Sequence, residues 1–489
     1  MKAMRPAITV LVTLLFTANV YATQPNIVLF FIDDMGWRDW SGGGSDYIET
    51  PNIDRIAEEG VQFTQGYVNA ANCAPSRCAI LSGQYPPRND FYNVWSIHRG
   101  NPQKDRLSLN DVPDGQVFPE ERVSFAEAMK KAGYRTAMYG KWHVSGYDKQ
   151  GSGNEGGVSP AMQGFDDVYE HPAGALKELF AVDRDDPKHM FSYTKRAMKF
   201  ASQCVEEEKP FLIYLAHHAV HSGNQSREVT LNKYKTKPPG TFHDSVSPAY
   251  AAMMTDTDTC IGMMLEALEK LNVDKNTVVI FLSDNGGPPG HGDQTPLRSW
   301  KGTYYEGGIR VPFLVRWPGR IAPSVNDTPI MAIDLYPTML ELAGVKDLAA
   351  HLGGYEIDGC SLVPVLTGTG ELEDRAMFWH FPAYLSGNKQ YTGTRSYPDY
   401  RQQPVSVIRR GDWKLMMYLE EWSLDSGRAQ LDTNNAVELY NLREDVSENQ
   451  NLALREVEVR DRLLDELLEW QQMIDAPIPR DPNPKRHRH

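Results

Sequence analysis

The chain is predicted to fold as α/β, with a large, mostly parallel sheet between layers of helices. Three observations predict this: apolar runs too continuous for a half-exposed strand, amphipathic stretches alternating with them, and acid-rich turns where two of the runs end. Asn26–Ile32 is the first such run. Ser124–Ala132 follows as a helix stopped at Gly133, with a strand over Tyr134–Tyr139. Pro210–Ala216 is a second buried strand. Ser247–Leu271 is a long helix, and Thr277–Ser283 a third buried strand. Val311–Arg316 and a helix over Ala332–Ala343 continue the alternation, so helices are expected on both faces. Near Thr367–Glu371 the texture changes to short strands (Ala376–His380, Val405–Arg409, Trp413–Met417). A helix over Leu454–Met473 follows, its apolar face formed by Leu463, Leu464, Leu467, Leu468 and Trp470. The expected division is a catalytic domain over 23–370, a small α+β subdomain over 371–476, and a basic, Pro-rich tail over 477–489 expected to be disordered.

At 489 residues, with 41% hydrophobic and 23% charged residues, the composition is that of a globular protein. A net charge of −14 argues against nucleic acid as a partner, so any anionic ligand must be drawn by a local cluster of cations. Residues 1–22 read as a cleaved export signal: Lys2 and Arg5, the apolar run Ala7–Phe16, then Val20-Tyr21-Ala22 before a mature start at Thr23. The run is too short for a spanning helix, and no later stretch is apolar enough to make one, so a periplasmic or secreted protein is expected. Five cysteines without CxxC pairing are too sparse for a disulfide scaffold, and pairing among Cys78, Cys204, Cys260 and Cys360 stays open.

Two buried strands end in acids: Ile32 runs into Asp33-Asp34, and Ser283 into Asp284-Asn285. Ligands of open α/β sheets bind beyond the carboxyl ends of the strands, and these oxygen donors suit Ca²⁺ or Mg²⁺. Either pair alone is better explained as a turn former or helix cap; the two together, with the motifs below, favour a metal site. In Asn72–Gly83, Pro75 fits the first turn of a helix. That places Cys73 at a helix N-terminus, where a thiolate or anion is stabilised, with Arg77 as a fixed cationic fork beside it. Taken locally, a reactive Cys and a buried structural Cys are equally good readings.

Cys73-x-Pro75-Ser76-Arg77 resembles the signature of type I sulfatases of the alkaline-phosphatase superfamily, in which this Cys is oxidised to formylglycine. Gly140-Lys141-Trp142-His143, Pro210–His221, Ser283–Gly287 and Lys301–Pro312 resemble further motifs of that family, in order. Glu438–Leu442 with Asn451-Leu452-Ala453 is similar to its C-terminal subdomain. The resemblance spans about 26–453 and implies an alkaline-phosphatase-like fold and hydrolysis of a sulfate ester. It implies one Ca²⁺ held by Asp33, Asp34, Asp284, Asn285 and the modified Cys73. A hydroxyl of the formylglycine hydrate would attack sulfur with help from Asp284. Arg77 and Lys141 would hold the formylglycine, Lys301 would bind sulfate, and His221 with Lys301 would protonate the leaving alcohol. His143 would expel sulfate from the hydrate. A maturation enzyme that makes formylglycine is the implied protein partner. The family often has Ala-Pro-His where this chain has Ala219-Val220-His221, and His217 and His218 are extra; their roles stay open.

Lys141 and His143 alternate at an apparent strand end, which would point both to one side. The competing readings are a phosphomonoester or phosphonate hydrolase of the same superfamily, an inactive sugar-binding relative, and a calcium-binding structural module. The substrate expected is a sulfated carbohydrate or polysaccharide fragment. The polar segment Arg88–Glu121, with Tyr92, Trp95, His98 and Arg99, is either a pocket rim or an ordinary surface excursion.

Overall fold

A computed structural model describes residues 24–145, 157–169, 183–240, 246–387 and 400–486. Residues 1–22, expected to be an export signal, lie outside them. Eight strands form the main sheet in the order Ser324–Asn326, Gly60–Phe63, Phe313–Arg316, Thr277–Ser283, Asn26–Ile32, Phe211–Ala216, Arg135–Gly140, Asp167–Tyr169. Only Phe313–Arg316 runs antiparallel to its neighbours, so the sheet is mostly parallel as expected.

Both faces of the central strand are buried, which is why its sequence is apolar without alternation. Ile27, Leu29 and Phe31 enter one core, and Val28, Phe30 and Ile32 the other. Helices Pro51–Glu58, Met190–Glu206 and Pro248–Lys270 cover the second face. The first is covered by Cys73–Ser82, Phe125–Lys131 and Leu335–Leu342. The expected helix at 124–132 has its physical basis in a capping box: the Ser124 side chain accepts from Glu127 N, and Glu127 reaches back to Ser124 N. The helix expected over Ala332–Ala343 begins as a 3₁₀ turn, Ala332–Asp334, because Asp334 turns back to accept from Met331 N.

Beyond residue 370 a four-stranded antiparallel sheet (Ala376–Phe381, Val405–Arg410, Trp413–Tyr418, Val437–Asn441) packs under helix Val457–Met473. Leu463, Leu464 and Leu467 are fully buried, each stabilising by roughly 1.5–3 kcal/mol. Trp470 stacks on Phe378 with ring centroids 4.5 Å apart. A third sheet joins distant parts of the chain: His98–Arg99 pairs with Tyr384–Ser386, which pairs with Tyr400–Gln402.

The tail departs from expectation. Its described part, 477–486, is docked and not disordered. Ser108 N donates to Asp481 O, Asn483 N to Arg106 O, Ser423 Oγ to Pro479 O, and His380 Nε2 to Pro477 O. Its prolines carry no N–H to satisfy, so a Pro-rich segment lies over the surface at little hydrogen-bonding cost. Among the described residues no helix is long and apolar enough to cross a membrane, and all five cysteines are free.

Candidate active site

The two acid-bearing turns are neighbours because their strands are. Asn26–Ile32 and Thr277–Ser283 pair in parallel with Ile32 opposite Ser283, so Asp33, Asp34, Asp284 and Asn285 emerge together at the carboxyl edge. All four are buried. Asp34 takes a left-handed φ of 65°, and its N–H donates to Asp284 Oδ1 at 3.1 Å. Asn285 Nδ2 donates to Asp34 Oδ1 at 2.8 Å. On the other side, backbone bonds between Asp33 and the Ala219-Val220 pair (3.1 and 2.8 Å) fix the loop that carries His221.

Helix Cys73–Ser82 starts at Cys73, after Asn72 as N-cap, and all ten of its residues are buried. One turn on, Arg77 is fully enclosed: Nε and Nη2 donate to Asp284 Oδ2 at 2.9 and 2.7 Å, and Nη1 to Lys141 O at 2.8 Å. Lys141 Nζ meets Asp33 Oδ2 at 2.7 Å, and Lys301 Nζ is paired with Asp34. Three carboxylates are thus matched one to one with three cations, which is what makes so many buried charges tolerable. Gly140 (φ 111°) lets the chain turn into this cluster, since a Cβ there would lie 2.0 Å from Ala216 O. Lys301 is held by its N–H to Gly287 O, and Gly302 by its N–H to Ala71 O, two residues before Cys73.

Lys141 and His143 do share the site, but not through strand alternation. The strand ends at Gly140, and His143 has φ 67°, so a turn aims both. Burial opposes ionisation of Asp33, yet Lys141, His221 and Arg77 hold its carboxyl well below the usual range. Asp34 is lowered in the same way, burial being outweighed by Lys301 and His221. Burial, then Lys141 and Arg77, keep His143 neutral, its pKa well below the ordinary value. His221 Nε2 lies 3.6 Å from Asp34 Oδ2; burial lowers its pKa to about 4, with Asp34 pulling the other way. Of the two local readings of Cys73, the surroundings favour the buried thiol over the thiolate. Burial raises its pKa, and the nearby Lys141 and Lys301 do not offset that.

Every residue singled out from the sequence for catalysis or metal binding is therefore in one cluster. His217 is not in it: it packs between Phe30 and Tyr193, and burial lowers its pKa to about 4. His218, next along the chain, faces the cluster and feels Lys141, Asp33 and Lys188. Lys188 was missed. It is 2% exposed, donates to Ser222 O at 3.1 Å beside His221, and burial brings its pKa to about 8. Nothing local marks it, since Asp185-Asp186-Pro187-Lys188 reads as a polar turn.

The donor set fits a divalent cation. One ligand atom each from Asp33, Cys73 and Asp284 lies within 4.8 Å of the others. Asp33 Oδ1 and Asn285 Oδ1 are buried without a hydrogen-bond partner, as oxygens aimed at an ion would be.

The sulfatase family model matches residues 25–345, and that for N-sulphoglucosamine sulphohydrolase, C-terminal, matches 300–473. The chain belongs to the sulfatase family. Its relatives include a sulfatase of Formosa agariphila, 35% identical over 88% of this chain and 84% of that one. Human arylsulfatase A is 30% identical over the same shares. A solved structure, Ps i-CgsB in complex with k-i-k-neocarrahexaose, is 25% identical with a TM-score of 0.69, covering 93% of this chain and 94% of that one. This sulfatase is accordingly a sulfuric ester hydrolase of alkaline-phosphatase-like fold.

Proposed function

We propose that this sulfatase removes sulfate from a sulfated carbohydrate, using formylglycine made from Cys73 and one Ca²⁺ held by Asp33, Asp34, Asp284, Asn285 and residue 73. The observation that carries the reading is the closed set of three acids and three cations around the first residue of a buried helix. When present, the formylglycine hydrate supplies the nucleophilic oxygen and Ca²⁺ polarises the sulfate. Arg77 orients Asp284 and, with Lys141, holds residue 73. Lys301 binds a sulfate oxygen. His221 Nε2, at the open side of Asp34, passes a proton to the leaving alcohol; an incoming anion favours its protonated form. His143, neutral by virtue of burial, accepts the proton whose removal releases sulfate. The carbohydrate class is supported by the k-i-k-neocarrahexaose bound to the structural relative.

Export through residues 1–22, a catalytic unit over 23–370 and a subdomain over 371–476 belong to the same proposal, as does a separate maturation enzyme that oxidises Cys73. Mass spectrometry of the peptide containing Ala74–Arg77, alongside assays on matched aryl sulfate and aryl phosphate esters, tests it. Aldehyde at position 73 and faster sulfate release are expected. Active enzyme with only unmodified cysteine, or faster phosphate release, would defeat it.

A further inference from the structure

The loop that carries His221 is held from two sides. Before the histidine, Asp33 N donates to Ala219 O and Val220 N to Asp33 O; after it, Lys188 Nζ donates to Ser222 O at 3.1 Å. Lys188 projects from the 3₁₀ turn Pro187–His189 at the head of helix Met190–Glu206. Asp186 Oδ1 ties that turn to the helix, accepting from Phe191 N at 2.8 Å and Ser192 N at 3.2 Å. Enclosing a lysine ammonium is costly, and Lys188 is buried all the same, with Asp33 and Asp34 within electrostatic reach to oppose the cost. Ser222 also meets the imidazole. Its Oγ lies 3.2 Å from His221 Nδ1, while Nε2, on the other edge of the ring, lies 3.6 Å from Asp34 Oδ2. The bond that one ring nitrogen makes decides where the other carries its proton. A hydroxyl oxygen that accepts from Nδ1 keeps a proton on that atom and leaves Nε2 as the atom that gives one up. The motif that resembles the family's ends at His221, so it assigns neither Ser222 nor Lys188.

We propose that Ser222 and Lys188 are positioning residues for His221: the Ser222 hydroxyl accepts from Nδ1–H and sets the tautomer and plane of the ring, and Lys188 holds the serine backbone in place. The proposal rests on the carbohydrate sulfatase reading with His221 as proton donor. It ties the pair to one class of substrate, sulfate esters of alkyl alcohols such as sugar hydroxyls. In such an ester the S–O bond breaks with its electron pair passing to the alcohol oxygen, which takes the proton from His221 Nε2. The imidazole is left neutral, with Nδ1–H still on Ser222 Oγ. An activated phenolate departs without that proton, so the placement of the ring matters much less to it.

The test measures kcat and KM of the mature enzyme on a monosulfated sugar and on an activated aryl sulfate, for Ser222→Ala, Ser222→Thr and Lys188→Met, with and without His221→Ala. Ser222→Ala should lose about tenfold more on the sugar than on the aryl ester, the size of one hydrogen bond, and chiefly in kcat. Ser222→Thr, which keeps the hydroxyl, should recover most of that difference. Lys188→Met should show the same split between substrates; because it empties a buried site, its melting temperature is read alongside, and Ser222→Ala carries the test if it does not fold. Once His221 is alanine, Ser222→Ala should cost nothing further on the sugar, since there is no ring left to place. Equal losses from Ser222→Ala on the two esters would overturn the proposal. So would the same loss with and without the imidazole. If His221→Ala separates the two esters and Ser222→Ala does not, the positioning role alone fails. If His221→Ala does not separate them, its role as proton donor fails as well, and no sulfate release from any ester overturns the sulfatase reading itself.

Discussion

Replacing Lys414 with Met is expected to destabilise the protein by about 3–5 kcal/mol, the range for breaking a buried ion pair. Lys414 has no exposed side-chain surface, and its Nζ lies 2.9 Å from Glu306 Oε1 and 2.8 Å from Glu448 Oε1, both equally enclosed. Glu306 Oε2 also accepts from Tyr67 Oη at 2.6 Å, and Glu448 Oε2 from Glu306 N at 2.7 Å. Burial disfavours both carboxylates, but Lys414 and two arginines hold Glu306 at about 2, while burial takes Glu448 to about 7 against the pull of Lys414. Without the ammonium, two adjacent buried carboxyls are left, and at least one must take up a proton. Unfolding entropy of about 2.1 cal/mol/K per residue amounts to roughly 1 kcal/mol/K for a chain of this size, so the loss corresponds to about 3–5 °C in thermal midpoint. Differential scanning calorimetry at pH 7 reads this directly. Adding Glu448→Gln removes one of the stranded charges and should recover at least half of the loss. A single variant that melts within 1 °C of wild type (about 1 kcal/mol), or a double variant less stable than the single, would refute the reasoning.

Three further outcomes follow from the same structure. His221→Ala should slow hydrolysis of alkyl sulfates about 10²–10⁴-fold while sparing activated aryl sulfates, because a good leaving group needs little protonation; equal losses in matched kinetics would make His221 a sulfate-binding residue. Elemental analysis should find one tightly held calcium per wild-type chain and none after Asp33→Asn, with activity abolished; a full equivalent retained by the variant would exclude Asp33 as a ligand. His380 is fully buried, bonded at 2.7 Å to Ser406 Oγ and 2.9 Å to Pro477 O, and burial lowers its pKa to about 4. The unfolded chain, with a histidine near 6.5, binds the proton first, so this stabilisation is complete above about pH 6.5 and is lost as pH falls toward 4. Between pH 7 and 5 the His380→Gln variant should therefore lose about 2 kcal/mol less stability than wild type, by denaturant titration at each pH; parallel losses would contradict it.

The sequence by itself determined the strands that build the site and the residues at their ends. Asn26–Ile32 and Thr277–Ser283 are buried on both faces, so each had to be written as an unbroken apolar run, and the acids that follow stand out against it. Cys73, Arg77, Lys141, His221 and Lys301 were legible because their motifs place particular side chains at fixed spacing. What tertiary structure alone decided is how those charges neutralise one another. No spacing in the chain reveals that Lys141 pairs with Asp33, Lys301 with Asp34 and Arg77 with Asp284, since the partners lie 108 to 267 residues apart. The same holds for Cys73, whose two local readings, a reactive thiol and a buried structural one, are told apart only by tertiary burial: all ten residues of its helix are buried, and burial raises the thiol's pKa. Lys188 and the docked tail were invisible for a related reason. A lysine becomes buried beside the site, and a proline-rich end becomes docked, only through contacts from remote segments, and local propensity carries no information about burial imposed from elsewhere.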